Sequence, residues 1–261
     1  MSFANAARKT LGDPGFWLRL GTSGLALGWS VWLFGKLGTQ MGAWALFHGG
    51  VAHAQIGAAE RVLAWTLLVL AAVAWLPKRW GGLAAIAGLL VLIEAVVGTI
   101  NGGYAFSQWS VPTRTLRILL PVILLVWVFR AQLARAETVC EWLLRGGIAL
   151  VFATHGLEAF FGHPAFQDYL IGTAEVVFGL EWVESDIQVL LWGIALLDGV
   201  VAVLVLFVSW RGLFAWLAFW GFITALARLT TYGMPAYPEL LLRFPHFCAP
   251  LALWALARAK R

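Results

Sequence analysis

Eight times along its 261 residues the chain runs through an apolar stretch of the length, about 20 residues, that crosses a bilayer as a helix. This recurrence limits the fold more than any other feature. The stretches cover residues 16–34, 58–76, 80–100, 112–129, 142–161, 187–208, 212–230 and 240–257, and groups such as Pro77-Lys78-Arg79 and Asn101-Gly102-Gly103 separate them. Hydrophobic residues make up 61% of the chain and charged residues 12%, whereas a soluble domain is about 25% charged. One soluble core cannot bury that much apolar surface, so the expected solvent is lipid. Lipid leaves backbone groups to be satisfied within the protein, which continuous apolar runs achieve as helices. The expected fold is therefore all-α, a polytopic membrane protein with eight transmembrane helices.

The positive charges orient the chain. Arg8, Lys9, Lys78, Arg79, Arg130, Arg135, Arg211, Arg258, Lys260 and Arg261 fall on one side, and Lys36 and Arg61 on the other. By the positive-inside rule the first side is cytoplasmic, with both termini there and the cell inner membrane as the expected location. Arg19 interrupts the first apolar run and no small-residue cleavage site follows it, so an uncleaved first span is expected in place of a signal peptide. Sixteen Trp suit two membrane–water interfaces. The formal charge of +5 does not imply nucleic acid, because Lys and Arg cluster at the ends of apolar runs and form no basic face. The expected partners are the lipid bilayer and proteins of a membrane complex. On the outer side, residues 41–55 and 164–180 mix aromatic with polar groups and are too short to span. Each is expected to form an outer helix lying in the interface.

The first four stretches resemble the last four. Trp17-Leu18-Arg19 opens the first and Trp142-Leu143-Leu144-Arg145 the fifth; Arg79-Trp80-Gly81 has a counterpart in Trp210-Arg211-Gly212. PTRTLR from Pro112 and PELLLR from Pro238 align Arg117 with Arg243. Four spans per half is an even number, so both halves enter from the same side and form parallel repeats. The expected units are two four-helix bundles, residues 1–136 and 137–261.

Polar residues within these apolar runs are the candidates for chemistry, because a charge at that depth is costly. Asp198 falls near the middle of the sixth stretch. It is expected to be protonated or paired, and serves equally as helix–helix glue or as a proton-transfer group. Glu94 and Arg228 fall within about one turn of equivalent positions, which suggests an ion pair between the halves. His155 and Glu158, at i and i+3, share a helix face. Arg117, Arg243 and His246 lie near the outer boundary, where they either anchor the chain or bind an anion or a quinone head. His155, Glu158 and Asp198 are thus the catalytic candidates, and Arg243, Arg117 and His246 the quinone- or anion-binding ones. The five histidines follow no ligand spacing, so neither metal nor haem is expected. Cys140 and Cys248 form no C-x-x-C and are expected to be buried thiols.

Residues 145–162, RGGIALVFATHGLEAFFG, with the outer interfacial segment, Asp198 in the next span and Arg243 in the last, resemble the DoxX/DoxD-like membrane proteins. That resemblance implies four-span bundles, here duplicated in tandem, and a redox setting, since some members are membrane subunits of thiosulfate:quinone oxidoreductases. By position it implies a polar site at His155, Asp198 and Arg243. Asp198 stands where Glu is commoner in that family, and the first half has Ser30 near the place of His155.

The leading expectation is a membrane subunit of a quinone-linked redox complex with its working face outward. Two rivals are a non-catalytic anchor or assembly partner, and a small-solute transporter. The spans lack paired Gly/Pro breaks at matching mid-membrane positions, which argues against the transporter.

Overall fold

The computed structural model describes residues 5, 9–36, 38–77 and 79–259. Arg8, Lys78, Lys260 and Arg261, four of the orienting charges, lie outside the described residues, as do the side chains of Lys36 and Arg79. The described residues contain helices and no strand. The long ones are α1 (Pro14–Lys36), α3 (His53–Val73), α4 (Ala85–Asn101), α5 (Thr115–Val128), α6 (Ala136–Phe160), α8 (Glu184–Phe207), α9 (Arg211–Tyr232) and α11 (Phe244–Ala259). Shorter ones join them, among them α2 (Gln40–Gly49), α7 (Pro164–Thr173) and α10 (Tyr237–Leu242).

Among the described residues, six segments are long and apolar enough to cross a membrane: His53–Val73, Trp80–Asn101, Ser107–Val128, Ala136–Phe160, Glu184–Phe207 and Arg211–Tyr232. A seventh follows if Met234–Leu242 and Phe244–Arg258, bent by 43°, count as one span. Helix α1 has the length but is not among these six; its sequence is diluted by Gly, Ser and Arg19. Large apolar side chains such as Trp65, Trp192, Leu196 and Phe207 point outward, as contact with lipid requires.

The two short connections form helices over only part of the expected 41–55 and 164–180, with His53–Gln55 opening α3, and each helix carries its own start and stop. Thr39 caps α2 by accepting from the Gly42 N–H at 2.8 Å, and Gly50 ends it in the left-handed conformation, φ 62°. His163 caps α7 by accepting from the Ala165 N–H at 3.1 Å, with Pro164 at the first helical position. Two carboxylates hold the start of α2. Glu60 accepts from the backbone N–H and hydroxyl of Thr39 at 2.6 and 2.8 Å, and Glu94 from the N–H groups of Gln40 and Met41 at 2.7 and 3.2 Å. A helix N-terminus attracts negative charge, so Glu94 is accounted for there. The expected Glu94–Arg228 ion pair is therefore not made: Arg228 turns instead to Glu239, 3.9 Å away, and to the Thr224 carbonyl at 2.6 Å.

Helix α1 packs on α3, α5, α10 and α11, while α6 packs on α8, α5 and α11. Helix α2 lies against α4, and α7 against α9. One cluster of buried side chains runs through both halves, from Leu18, Leu116 and Leu120 to Leu144, Phe214 and Leu253. Arginines tie two of these helix pairs together. Arg19 donates to the carbonyls of Ala74 and Leu76, just past the end of α3. Arg145 donates to the carbonyls of Val205 and Val208 at 2.6 and 3.1 Å and to the Ser209 hydroxyl at 2.7 Å, at the end of α8. Each thereby satisfies carbonyls that a helix end leaves without partners. Helices α8 and α9 do not pack closely on one another, and a cavity occupies the space between them.

Candidate functional site

The site forms where α10 breaks into α11. Pro245 has no N–H to offer the Leu241 carbonyl, so the helix bends there and Arg243 sits at the corner. Its Nη1 reaches Nε2 of His155 at 3.2 Å, from α6, and Nε2 of His246 at 3.3 Å, one turn on. On the other side of His155, Nδ1 meets the Glu158 carboxylate at 2.7 Å. A guanidinium only donates, so both Nε2 atoms accept and both rings carry their proton on Nδ1. The resulting line runs Glu158, His155, Arg243, His246. It ends on the His246 Nδ1–H, which is buried and has no partner among the described residues; Arg243 Nε is likewise free.

Three adjoining cavities meet at Tyr169, Arg228 and Arg243. The first, about 290 Å³, lies between α8 and α9 and is lined mainly by apolar groups such as Phe152, Leu191, Ile194 and Ile223. His155, His246 and Arg243 form its polar end, and Asp198 lies on its wall. Asp198 is 4% exposed. The Trp220 indole interacts with its carboxyl group, and Oδ1 has no partner among the described residues. No cation pairs with Asp198 among the described residues, so pairing across the bundle does not account for its burial. The other two cavities, about 320 and 250 Å³, are polar; both are lined by Arg114 and Arg117 as well as by the three shared residues.

All six residues singled out from the sequence, Asp198, Glu158, His155, Arg243, Arg117 and His246, therefore line these three cavities. His48 and His53 stand apart and are exposed. His163 lies beside the cluster, stacked at 5.0 Å on both Phe106 and Phe166. Burial holds its imidazole below the ordinary value, with the negative charge of Glu158 opposing that shift. Sequence reasoning missed Arg114, Tyr169, Trp220 and Glu239. Only Arg114 carried a signal, as a second arginine in PTRTLR. Cys140 and Cys248 are buried and unbridged. No group of three or more His, Cys, Asp or Glu arranged to hold a metal ion occurs among the described residues.

Fold and site together define a helical protein with a lipid-facing surface and a polar cluster at the head of an apolar cavity. No family model, curated protein or solved structure matches the chain.

Proposed function

We propose that this protein is the membrane subunit of a quinone-linked redox complex, and that the quinone ring enters the cavity between α8 and α9. The observation that carries the reading is the pairing of an apolar cavity, walled by two loosely packed helices, with unpartnered buried polar atoms: Arg243 Nε, His246 Nδ1 and Asp198 Oδ1. Such atoms are costly unless a ligand satisfies them. A quinone supplies two carbonyl acceptors on an apolar ring, and its two-electron reduction consumes two protons. Arg243 and His246 would orient one carbonyl by donating to it. Asp198, in the cavity wall, would hold a proton for the ring, and Glu158 would keep His155 in the tautomer that accepts from Arg243. The resemblance of residues 145–162 to DoxX/DoxD-like proteins points the same way.

Eight spans in two parallel repeats, residues 1–136 and 137–261, belong to the same proposal. The helix pairings support it: α1 with α3 and α6 with α8, α4 with α5 and α9 with α11, and across the halves α1 with α11 and α6 with α5. So do Arg19 and Arg145, which perform one task at one place in each half. Helix breaks at Arg114 and Arg243 lay RTLRILLP (114–121) over RFPHFCAP (243–250), so that Arg114 matches Arg243 and Arg117 matches His246. This register is shifted by three residues from the one that aligns PTRTLR with PELLLR. The inner membrane, with cytoplasmic termini and an outward site, remains the proposed location from the charge pattern.

The test is calorimetric titration of a short-chain quinone into the purified protein in nanodiscs. Arg243→Gln and His246→Phe are each expected to weaken binding about tenfold, the effect of losing one charge-assisted or buried hydrogen bond. Trp65→Phe, on the lipid face, is expected to leave it unchanged. Equal affinity in all four proteins would remove the proposal. A non-catalytic anchor is favoured by one observation: the turn after α7 exposes Val176, Val177, Phe178 and Leu180 together, as a docking patch would. Partner assembly that survives conversion of these four to Ser would argue against it.

A further inference from the structure

We infer that the larger polar cavity beside the quinone pocket, of about 320 Å³, forms a second site, for a phosphate-like dianion held between the two halves of the chain. The inference does not rest on the quinone reading: Arg243 borders both cavities, but Arg114 and Arg117, which the test addresses, line only the polar ones. Four guanidiniums, from Arg114, Arg117, Arg228 and Arg243, line the cavity of about 320 Å³, and Arg117 lies within electrostatic range of the other three. The carboxylates on that wall are Glu94 and Glu239. Both oxygens of Glu94 accept from the start of α2, and Glu239 faces Arg228. Four positive charges against two negative leave an excess of two in a region of low dielectric, where like charges repel strongly. Neither the Arg114 nor the Arg117 side chain donates a hydrogen bond among the described residues, and Arg117 Nε is buried without a partner. Guanidinium forks match oxoanion geometry two bonds at a time, and a phosphate monoester carries about −1.5 to −2 charges at neutral pH. An oxoanion of two charges thus cancels the excess and occupies the free donors. Tyr169 stacks on Arg228 at 4.6 Å and holds that guanidinium at the wall.

The same chemistry comes from a free phosphate or from the headgroup of an anionic lipid, whose chains would run from the cluster into the membrane. The experiment separates them. The protein is placed in phosphatidylcholine nanodiscs and titrated with inorganic phosphate, with chloride at equal ionic strength as the control; the titration is repeated in discs containing phosphatidic acid. The expected result is saturable binding of one phosphate. Phosphate binding that persists with phosphatidic acid present supports the free ion. Binding abolished by phosphatidic acid, with one lipid phosphate retained per protein after repurification, supports the headgroup. In either arm Arg117→Gln and Arg114→Gln are each expected to bind about tenfold more weakly, which is the loss of one charge-assisted contact. Arg114 is half-buried and its side chain donates no hydrogen bond among the described residues, so Arg114→Gln keeps the test valid if Arg117→Gln fails to fold. No saturable binding of either probe, or binding by both variants at the wild-type affinity, would overturn the inference. Quinone titration of the same samples reads the other site independently.

Discussion

Replacing Arg145 by Met removes one side chain and unfastens the end of α8. Arg145 is 3% exposed and donates to three groups of that helix end, while Glu141, at 3.0 Å, balances its charge. The Val205 carbonyl is buried, whereas Val208 and Ser209 sit where water reaches them. Water therefore replaces two of the three bonds in the variant and leaves one buried carbonyl orphaned, at a cost of about 1–3 kcal/mol. Losing the two outer bonds adds about 1 kcal/mol. The near-isosteric Met keeps most of the packing, including the contact with Phe214, over whose ring the guanidinium lies at 5.4 Å. The total is about 3 kcal/mol, a large share of a typical folding free energy of about 5–15 kcal/mol. The assay is equilibrium unfolding in detergent–lipid micelles, followed by far-UV circular dichroism. Arg145→Lys, which keeps one donor, is expected to recover about half of the loss. An Arg145→Met protein within about 0.5 kcal/mol of wild type would refute the assignment of Arg145 as the cap of α8.

Arg19→Met is expected to lose less, about 1–2 kcal/mol, because it frees two carbonyls at a more exposed helix end; the same unfolding assay ranks the two variants. Gly28→Ala and Gly221→Ala are expected to cost about 1–3 kcal/mol each, since a Cβ at Gly28 would lie 2.7 Å from the Leu242 nitrogen and one at Gly221 2.7 Å from the His246 carbonyl oxygen. Loss of compactness on gel filtration, or a lowered Tm, would show it; unchanged Tm values would mean that the α1–α10 and α9–α11 contacts are looser than described. His163 is pushed below its ordinary value by burial, so its neutral form stabilises the fold above the unfolded value of about 6.5, and that stability is lost as pH falls towards the folded value. The Tm gap between wild type and His163→Asn, whose side chain caps without titrating, is therefore expected to change between pH 7 and pH 5, with wild type losing ground on acidification.

The helices were legible because apolar run length alone requires them, and the short helices α2 and α7 because each has a cap and a Gly or Pro signal. The His155–Glu158 contact followed from i, i+3 spacing. What brings Arg243 to His155, 88 residues away, is the bend at Pro245 together with the packing of α11 on α6, and no local pattern encodes that. Glu94 read as half of an ion pair because its real partners are backbone N–H groups, which carry no side-chain signature. Tyr169 and Trp220 were invisible for a different reason. In a chain with sixteen Trp, an aromatic residue that lines a cavity looks like one that faces lipid.

The most direct test of the central claim is photoaffinity labelling of the protein in nanodiscs with an azido-quinone, followed by peptide mapping. Label is expected in residues 187–207 and 211–232, on the faces carrying Asp198 and Trp220, suppressed by excess unmodified quinone and lost in His246→Phe. Label spread over the lipid-facing surface around Trp65 and Trp192, unchanged by competitor or by that substitution, would contradict it.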